Sequence, residues 1–297
     1  MEEEVKQKYI KSGKVIQKAR EKAREIAEPG TEYQKIADEI EGLIRSEGLE
    51  PAFPVNLSAN EEAAHYSPGT DTERVVSDGE VLKIDIGAHC EGYIADTALT
   101  VNPSGKHQEM IETNREVLEK ALEFIEPGKT IGEFGTYVQN QIPDKYNVVR
   151  NLTGHYLGEY TQHAGVSIPN NMNKSNHVFE KGDAVAIEPF LTTGSGKIKE
   201  GKKGNIYLEQ GGNVRGRAER KLLKQIKGFE GLPFSPRWFD SFSGRDKMAL
   251  KKLVQSGAVK SYPILREVDK GIVTQAEHTV LVGMGEDGEN IVTTRSD

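Results

Sequence analysis

One cysteine, Cys90, leaves the chain without an internal disulfide, so nothing in it calls for an oxidising compartment. No apolar run approaches the roughly 20 residues that cross a bilayer. The opening Met1-Glu2-Glu3-Glu4-Val5-Lys6 lacks the apolar stretch of a secretory signal. An excess of positive charge is missing as well. The 39 Lys and Arg against 46 Asp and Glu leave a net charge of −7, which argues against nucleic acid as the main partner. These absences predict a soluble cytoplasmic protein with no membrane role. Cys90 falls in an expected turn with no basic pair beside it, and reads as an inert thiol. What is present is 297 residues, 36% of them hydrophobic, enough for one large domain or two small ones.

The chain repeats itself. Apolar residues at helical spacing predict helices over 4–27 and 32–46, with Pro29-Gly30 as the stop between them. Pro127-Gly128 separates two further helices, over 108–126 and 131–142, in the same way. The strand Gly79-Glu80-Val81-Leu82-Lys83-Ile84-Asp85 parallels Gly182-Asp183-Ala184-Val185-Ala186-Ile187-Glu188. The offset is 127 − 29 = 98 at the Pro-Gly pairs and 182 − 79 = 103 at the strands. Two related halves about a pseudo-twofold axis follow, in an α+β fold with helices over antiparallel sheet. Such an axis would bring Asp85 and Glu188 together at the centre.

Between Lys197 and about Val259 the pattern has no counterpart in the first half and predicts Gly-Lys-rich turns followed by helices, a mostly helical insertion. The expected organisation is a catalytic domain over 1–198 and 260–297 and an insertion over 199–259. A basic run within it (Arg215, Arg217, Arg220, Lys221, Lys224, Lys227) reads as a solvated face, with a transient contact to ribosomal RNA or nascent chain as the alternative. Strands are expected again over 261–268, 271–283 and 290–294.

Four carboxylates sit where strand chemistry disfavours them. Asp85 and Asp96 flank an expected hairpin whose turn is placed at Gly87–Gly92. Glu188 and Glu277 lie in the apolar runs 184–190 and 271–282. Asp is depleted in strands, and a buried carboxylate without a partner is costly. Oxygen ligands with an imidazole suit hard or borderline divalent ions, and four carboxylates balance the charge of two of them. His155 and His163 flank a short loop, and His65 comes from Ala63-Ala64-His65-Tyr66. His89, His107 and His177 read as structural or exposed, and His278 as facing away from Glu277.

Asn56-Leu57-Ser58 with Ala64-His65-Tyr66, Asp85-Ile86-Gly87, Ala95-Asp96-Thr97, Gly154-His155, His163-Ala164-Gly165, Ala186-Ile187-Glu188-Pro189-Phe190 and Gln275-Ala276-Glu277-His278-Thr279 together resemble the methionine aminopeptidases of peptidase family M24. The gap of 277 − 188 = 89 residues between the two glutamates resembles the type II subclass of archaea and eukaryotes, and the lack of a long N-terminal extension resembles its archaeal form. The resemblance implies a pita-bread fold and two divalent metal ions, drawn from Co, Mn, Fe and Zn. Asp85 would bind one ion, Asp96 and Glu277 would bridge both, and His155 and Glu188 would complete the other. It further implies hydrolysis of the first peptide bond of methionine-starting peptides and nascent chains by a metal-bridging hydroxide, small penultimate residues being preferred. Glu188 would shuttle the proton, His163 would stabilise the oxyanion, and His65 would lie near the penultimate residue. Phe53, Phe190 and Tyr262 would form the methionine slot. Gln162 departs from the family, which usually has an aliphatic residue there. A monomer is expected. The competing readings are a binding protein that keeps the fold without catalysis, and a prolidase or aminopeptidase P. The five expected ligands oppose the first; the insertion and His65 close to the start oppose the second.

Overall fold

In the computed structural model, which describes residues 1–70, 72–212 and 214–296, two helices open the chain. They are α1 (Glu3–Ile26) and α2 (Tyr33–Ser46), and each turns one apolar stripe inward. Ile36, Ile40 and Ile44 recur every four residues along α2 and are fully buried. At roughly 1.5–3 kcal/mol for each fully buried side chain, that stripe rather than helix propensity holds α2 in place. Next come β1 (Glu50–Ala59), the short β2 (Glu62–Ala64), β3 (Leu82–Cys90) and β4 (Tyr93–Val101). Strands β1, β3 and β4 form an antiparallel sheet with β3 in the middle, and both helices pack on it.

The second half repeats the plan with α3 (Gln108–Phe124) and α4 (Ile131–Asn140). Thr130 and Glu133 close a reciprocal capping box at the start of α4, which fixes where the helix begins after Pro127-Gly128. Strands β5 (Asn147–Val148), β6 (Thr153–Gly158), β7 (Thr161–Pro169), β8 (Ala184–Ile187) and β9 (Phe190–Thr192) follow. Then come β10 (Ile198–Glu209), α5 (Arg217–Ile226), α6 (Gly244–Gln255) and β11 (Val259–Glu267). The chain closes with β12 (Val273–Gln275), β13 (His278–Leu281) and β14 (Ile291–Val292). A five-stranded sheet runs in the order β14-β13-β8-β6-β7, covered by α3 and α4. Strand β8 lies between β6 and β13 as β3 lies between β1 and β4, which is the internal repeat made visible.

The halves are stitched where β4 meets the end of the chain. The Asp96 amide donates to Thr279 Oγ1 at 2.7 Å, Thr97 Oγ1 to the Glu277 carbonyl at 2.7 Å, and Thr100 Oγ1 to the Gln275 carbonyl at 2.7 Å. Gly13 lets α1 lie directly on the C-terminal segment, since a Cβ there would come 2.2 Å from the Thr293 carbonyl oxygen.

Three local expectations change. The β3–β4 turn is the two-residue Glu91-Gly92, both at positive φ, rather than Gly87–Gly92, and β3 continues through Gly87 to a buried Cys90. Gly87 reads as a turn residue but serves close packing instead. Residues 199–209, expected to open the insertion as Gly-Lys-rich turns, are strand β10, paired with β11, and the helices α5 and α6 follow. The single strand expected over 271–283 is broken between β12 and β13. The basic residues around α5 (Arg215, Arg217, Arg220, Lys221, Lys224, Lys227) are all exposed.

Candidate metal centre

Strand register aims the first two carboxylates. Asp85 pairs with Ala98 and Asp96 with Gly87, so Asp85 and Asp96 stand two residues apart on one face of the β3–β4 hairpin. The glutamates come from an interruption in the second half. Ile187 pairs with His278 and Phe190 with Gln275, which leaves Glu188-Pro189 facing Ala276-Glu277 across a break in the ladder. Pro189 has no N–H to give the ladder. The Ala276 amide reaches only the Pro189 carbonyl, at 3.4 Å, and the Glu277 amide turns to the Ala98 carbonyl, at 3.1 Å. Asn170 and Asn114 donate to the Glu188 and Pro189 carbonyls, each at 3.0 Å, and fix the irregular backbone. His155 and His163 come from the hairpin β6–β7, their ring centroids 4.3 Å apart.

These residues line one cavity of about 350 Å³, with Asp85, Asp96, Glu188, Glu277, His155, His163 and His65 in its wall. His155 Nε2 lies 3.7 Å from Asp96 Oδ2 and 3.7 Å from Glu188 Oε1. One potential ligand atom each of Asp96, His155 and Glu277 falls within 4.8 Å of the others. Phe53, Phe190 and Tyr262 line the same cavity. The two phenylalanines are buried, and Tyr262 packs edge-on to His65 at 5.2 Å. Gly87 lets the Phe53 ring lie flat on β3, because a Cβ there would meet Phe53 Cε1 at 2.2 Å. His278 faces away, buried against Thr294 Oγ1 at 2.8 Å.

The electrostatics select for cations. Burial holds the Asp85 carboxyl up to about 7. Burial and mutual repulsion hold Asp96, Glu188 and Glu277 well above the usual carboxylate range. Burial, then His163, pushes His155 down to about 3, so its imidazole is neutral and can act as a ligand. Burial likewise takes His65 down to about 4. Asp85 Oδ1 and Asp96 Oδ1 are buried and have no hydrogen-bond partner among the described residues. Crowded carboxylates with vacant oxygens and a neutral imidazole fit divalent metal ions.

Two groups escaped the sequence reading, and a third, Gln162, has a partner that the sequence does not show. Gln275 Nε2 donates to Glu188 Oε2 and to Glu277 Oε2, at 3.4 Å each. It stands two residues before Glu277, and strand alternation could have pointed to it. Lys260, in the cavity wall, holds the His163 imidazole below its usual range after burial has done so. Gln162, where the resemblance leads one to expect an aliphatic residue, lines the cavity and donates to Asp96 Oδ2 at 3.4 Å.

The sequence profile of metallopeptidase family M24 matches residues 7–283, and the chain belongs to that family. It is 41% identical over 296 residues to the methionine aminopeptidase of Methanocaldococcus jannaschii, covering 99% of this chain and 100% of the relative. Among solved structures it is similar to methionine aminopeptidase from Thermotoga maritima, with a TM-score of 0.72 at 22% identity, covering 100% of this chain and 98% of that one. It is similar also to a thermophilic Arx1, with a TM-score of 0.82 at 17% identity, covering 95% and 89%. At those identities the structural likenesses show the fold alone, the α+β pita-bread fold. No helix among the described residues is long and apolar enough to cross a membrane.

Proposed function

We infer that this chain is a methionine aminopeptidase, which hydrolyses the first peptide bond of polypeptides that start with methionine. The observation that carries the reading is the convergence of four carboxylates and a neutral imidazole on a cavity that has an aromatic wall. The 41% identity to a relative of that name over nearly the whole chain supports it.

Asp85 would hold one divalent ion, Asp96 and Glu277 would serve both, and His155 with Glu188 would complete the second. Two such ions, of Co, Mn, Fe or Zn, supply an activated water and a Lewis acid for the scissile carbonyl. The chain's own residues do the rest. Glu188, in the wall of the cavity, accepts the proton of the attacking water and passes it to the departing amine. His163, exposed at the rim, donates to the oxygen that gains charge in the tetrahedral state. His65 contacts the penultimate residue, while Phe53, Phe190 and Tyr262 enclose the methionine side chain. A small residue is expected at the penultimate position.

A cytoplasmic monomer acting on nascent chains completes the proposal. The exposed basic face of α5 is the surface suited to a transient ribosome contact. The test is methionine release from Met-Ala-Ser by metal-stripped protein supplied with each of the four metals, beside Leu-Ala-Ser. Metal-dependent release restricted to the methionine peptide is expected. Release from neither peptide with any metal, in protein that binds two ions, would favour the non-catalytic binding protein.

A further inference from the structure

Behind the metal centre lies a second cavity, of about 820 Å³, between α1, α3 and the back of β4. The same backbone serves both. Asp96 and Glu277 face the metal centre, while their neighbours Thr97 and His278 turn to the other side of their strands. Arg20, on α1, forms the floor. It is 9% exposed and donates to Thr97 Oγ1, to the Ala98 carbonyl at 3.0 Å and to the Glu277 carbonyl at 3.3 Å. Those acceptors are a hydroxyl and two carbonyls, so the guanidinium charge itself meets no carboxylate.

Three more arginines surround it. Arg24, Arg115 and Arg295 line the cavity and are exposed at its rim. Arg295 is paired with Glu119 at 3.0 Å, whereas Arg24 and Arg115 form no ion pair or side-chain hydrogen bond among the described residues. The acidic lining residues are Glu28 and Glu119, so the wall carries four positive and two negative charges, 4 − 2 = +2, in a chain whose net charge is −7. A surface helix of an acidic protein would ordinarily pair such side chains. Here two stay unpaired over a buried third.

We propose that this cavity is an anion site, and that it takes a phosphate-class oxyanion, free or as the phosphate of a small phosphorylated molecule, between Arg20, Arg24 and Arg115. Guanidinium groups present planar pairs of N–H donors that match the oxygen spacing of phosphate, and several of them around one pocket favour a multiply charged anion over chloride. The cavity exceeds the catalytic one in volume and has room for more than a single inorganic ion.

The test titrates the metal-loaded full chain with inorganic phosphate, with sulfate, which is a poor ligand for the metals, and with a phosphomonoester. Chloride holds the ionic strength constant, and binding is read by calorimetry. The comparison is the Arg24→Glu, Arg115→Glu double variant, whose two sites are exposed and outside the catalytic machinery. Unchanged metal-dependent methionine release certifies its fold. Saturable binding of phosphate and sulfate to wild type is expected, weakened about tenfold or more in the variant. Tighter binding of the ester identifies a small phosphorylated ligand, and equal binding identifies the free ion. No saturable binding to wild type, or the same affinity in both proteins, would overturn the proposal, since the anion would then lie at the metal centre or on the general surface.

Discussion

Glu188 and Glu277 face each other across a break in one antiparallel ladder, between the pairs Ile187–His278 and Gln275–Phe190. Irregular pairing of this kind re-aims side chains, and here it turns two carboxylates out of buried strands into one cavity. Gln275, the last paired residue before the break, donates to both. Replacing it with leucine leaves the glutamates without that donor. Gln275→Leu is expected to weaken metal binding by about 10- to 100-fold, as loss of an outer hydrogen-bond partner does at metal sites, while the fold persists. Calorimetric titration with Mn(II) reads the change. Unaltered affinity would assign Gln275 to packing alone.

The crowded carboxylates give the metal-free protein a definite pH dependence. Asp85 is held at about 7 against an ordinary 3.8, and Asp96, Glu188 and Glu277 are raised as well. Groups raised in the fold stabilise it while they keep their protons, and that contribution is lost as pH rises through the folded values. His155 and His65, at about 3 and about 4, act in the opposite sense, but only below the ordinary imidazole value of 6.5. Above it they are neutral in both states and silent, while the buried Lys83, brought down to about 7, offsets at most one of the four carboxyls. Metal-stripped protein is therefore expected to melt at falling temperature from pH 6.5 to 8, and saturating Mn(II) to abolish the fall. A flat or rising melting temperature for the stripped protein in that window would contradict the assignment.

Phe53 rests on Gly87 with no space for a Cβ between them. In Gly87→Ala the ring must move, and overpacking of this kind costs about 1–3 kcal/mol. Because Phe53 lines the cavity, the variant is expected to raise KM for Met-Ala-Ser more than it lowers kcat. Thermal melts and steady-state kinetics check both halves. Equal KM in a destabilised protein would place the methionine slot elsewhere.

Glu41 on α2 anchors the segment after α5. Its carboxylate accepts from Arg237 Nη2 at 2.8 Å and Nη1 at 3.0 Å, from Trp238 Nε1 at 2.8 Å and from the Val55 amide at 3.1 Å. Glu41 is 1% exposed, so Glu41→Leu leaves two N–H groups without their acceptor and the Arg237 guanidinium with only Asp38 and the Pro68 carbonyl. A loss of roughly 3–5 kcal/mol is expected, with activity per folded molecule retained. Chemical denaturation against active-site titration separates the two. A loss below about 1 kcal/mol would mean that water replaces the carboxylate.

The repeat was readable because its markers are covalent: Pro-Gly stops and Gly-acid strand starts at matching offsets. The carboxylates were readable because each violates the apolar strand around it. Gly87 was misplaced because a glycine that accommodates an aromatic ring looks the same as one that makes a turn. Residues 199–209 read as turns because their Lys and Gly hide the pairing of β10 with β11. Gln275 carries only the faint signal of its alternation with Glu277, and Arg20 none, since a polar side chain declares its role only once its partners are brought beside it. Gln162 was seen as unusual, yet its partner Asp96 lies 66 residues away in the chain.

The central claim is that Asp85, Asp96, His155, Glu188 and Glu277 form one centre for two divalent ions that drives methionine release. It is tested most directly by titrating stripped protein with Mn(II) while following bound metal and methionine release together, for wild type, Asp96→Ala and Glu188→Gln. The account predicts two ions per wild-type chain, fewer in Asp96→Ala, and binding retained in Glu188→Gln with kcat lowered about 10²- to 10⁴-fold. Full activity in Glu188→Gln, or two undiminished sites in Asp96→Ala, would contradict it.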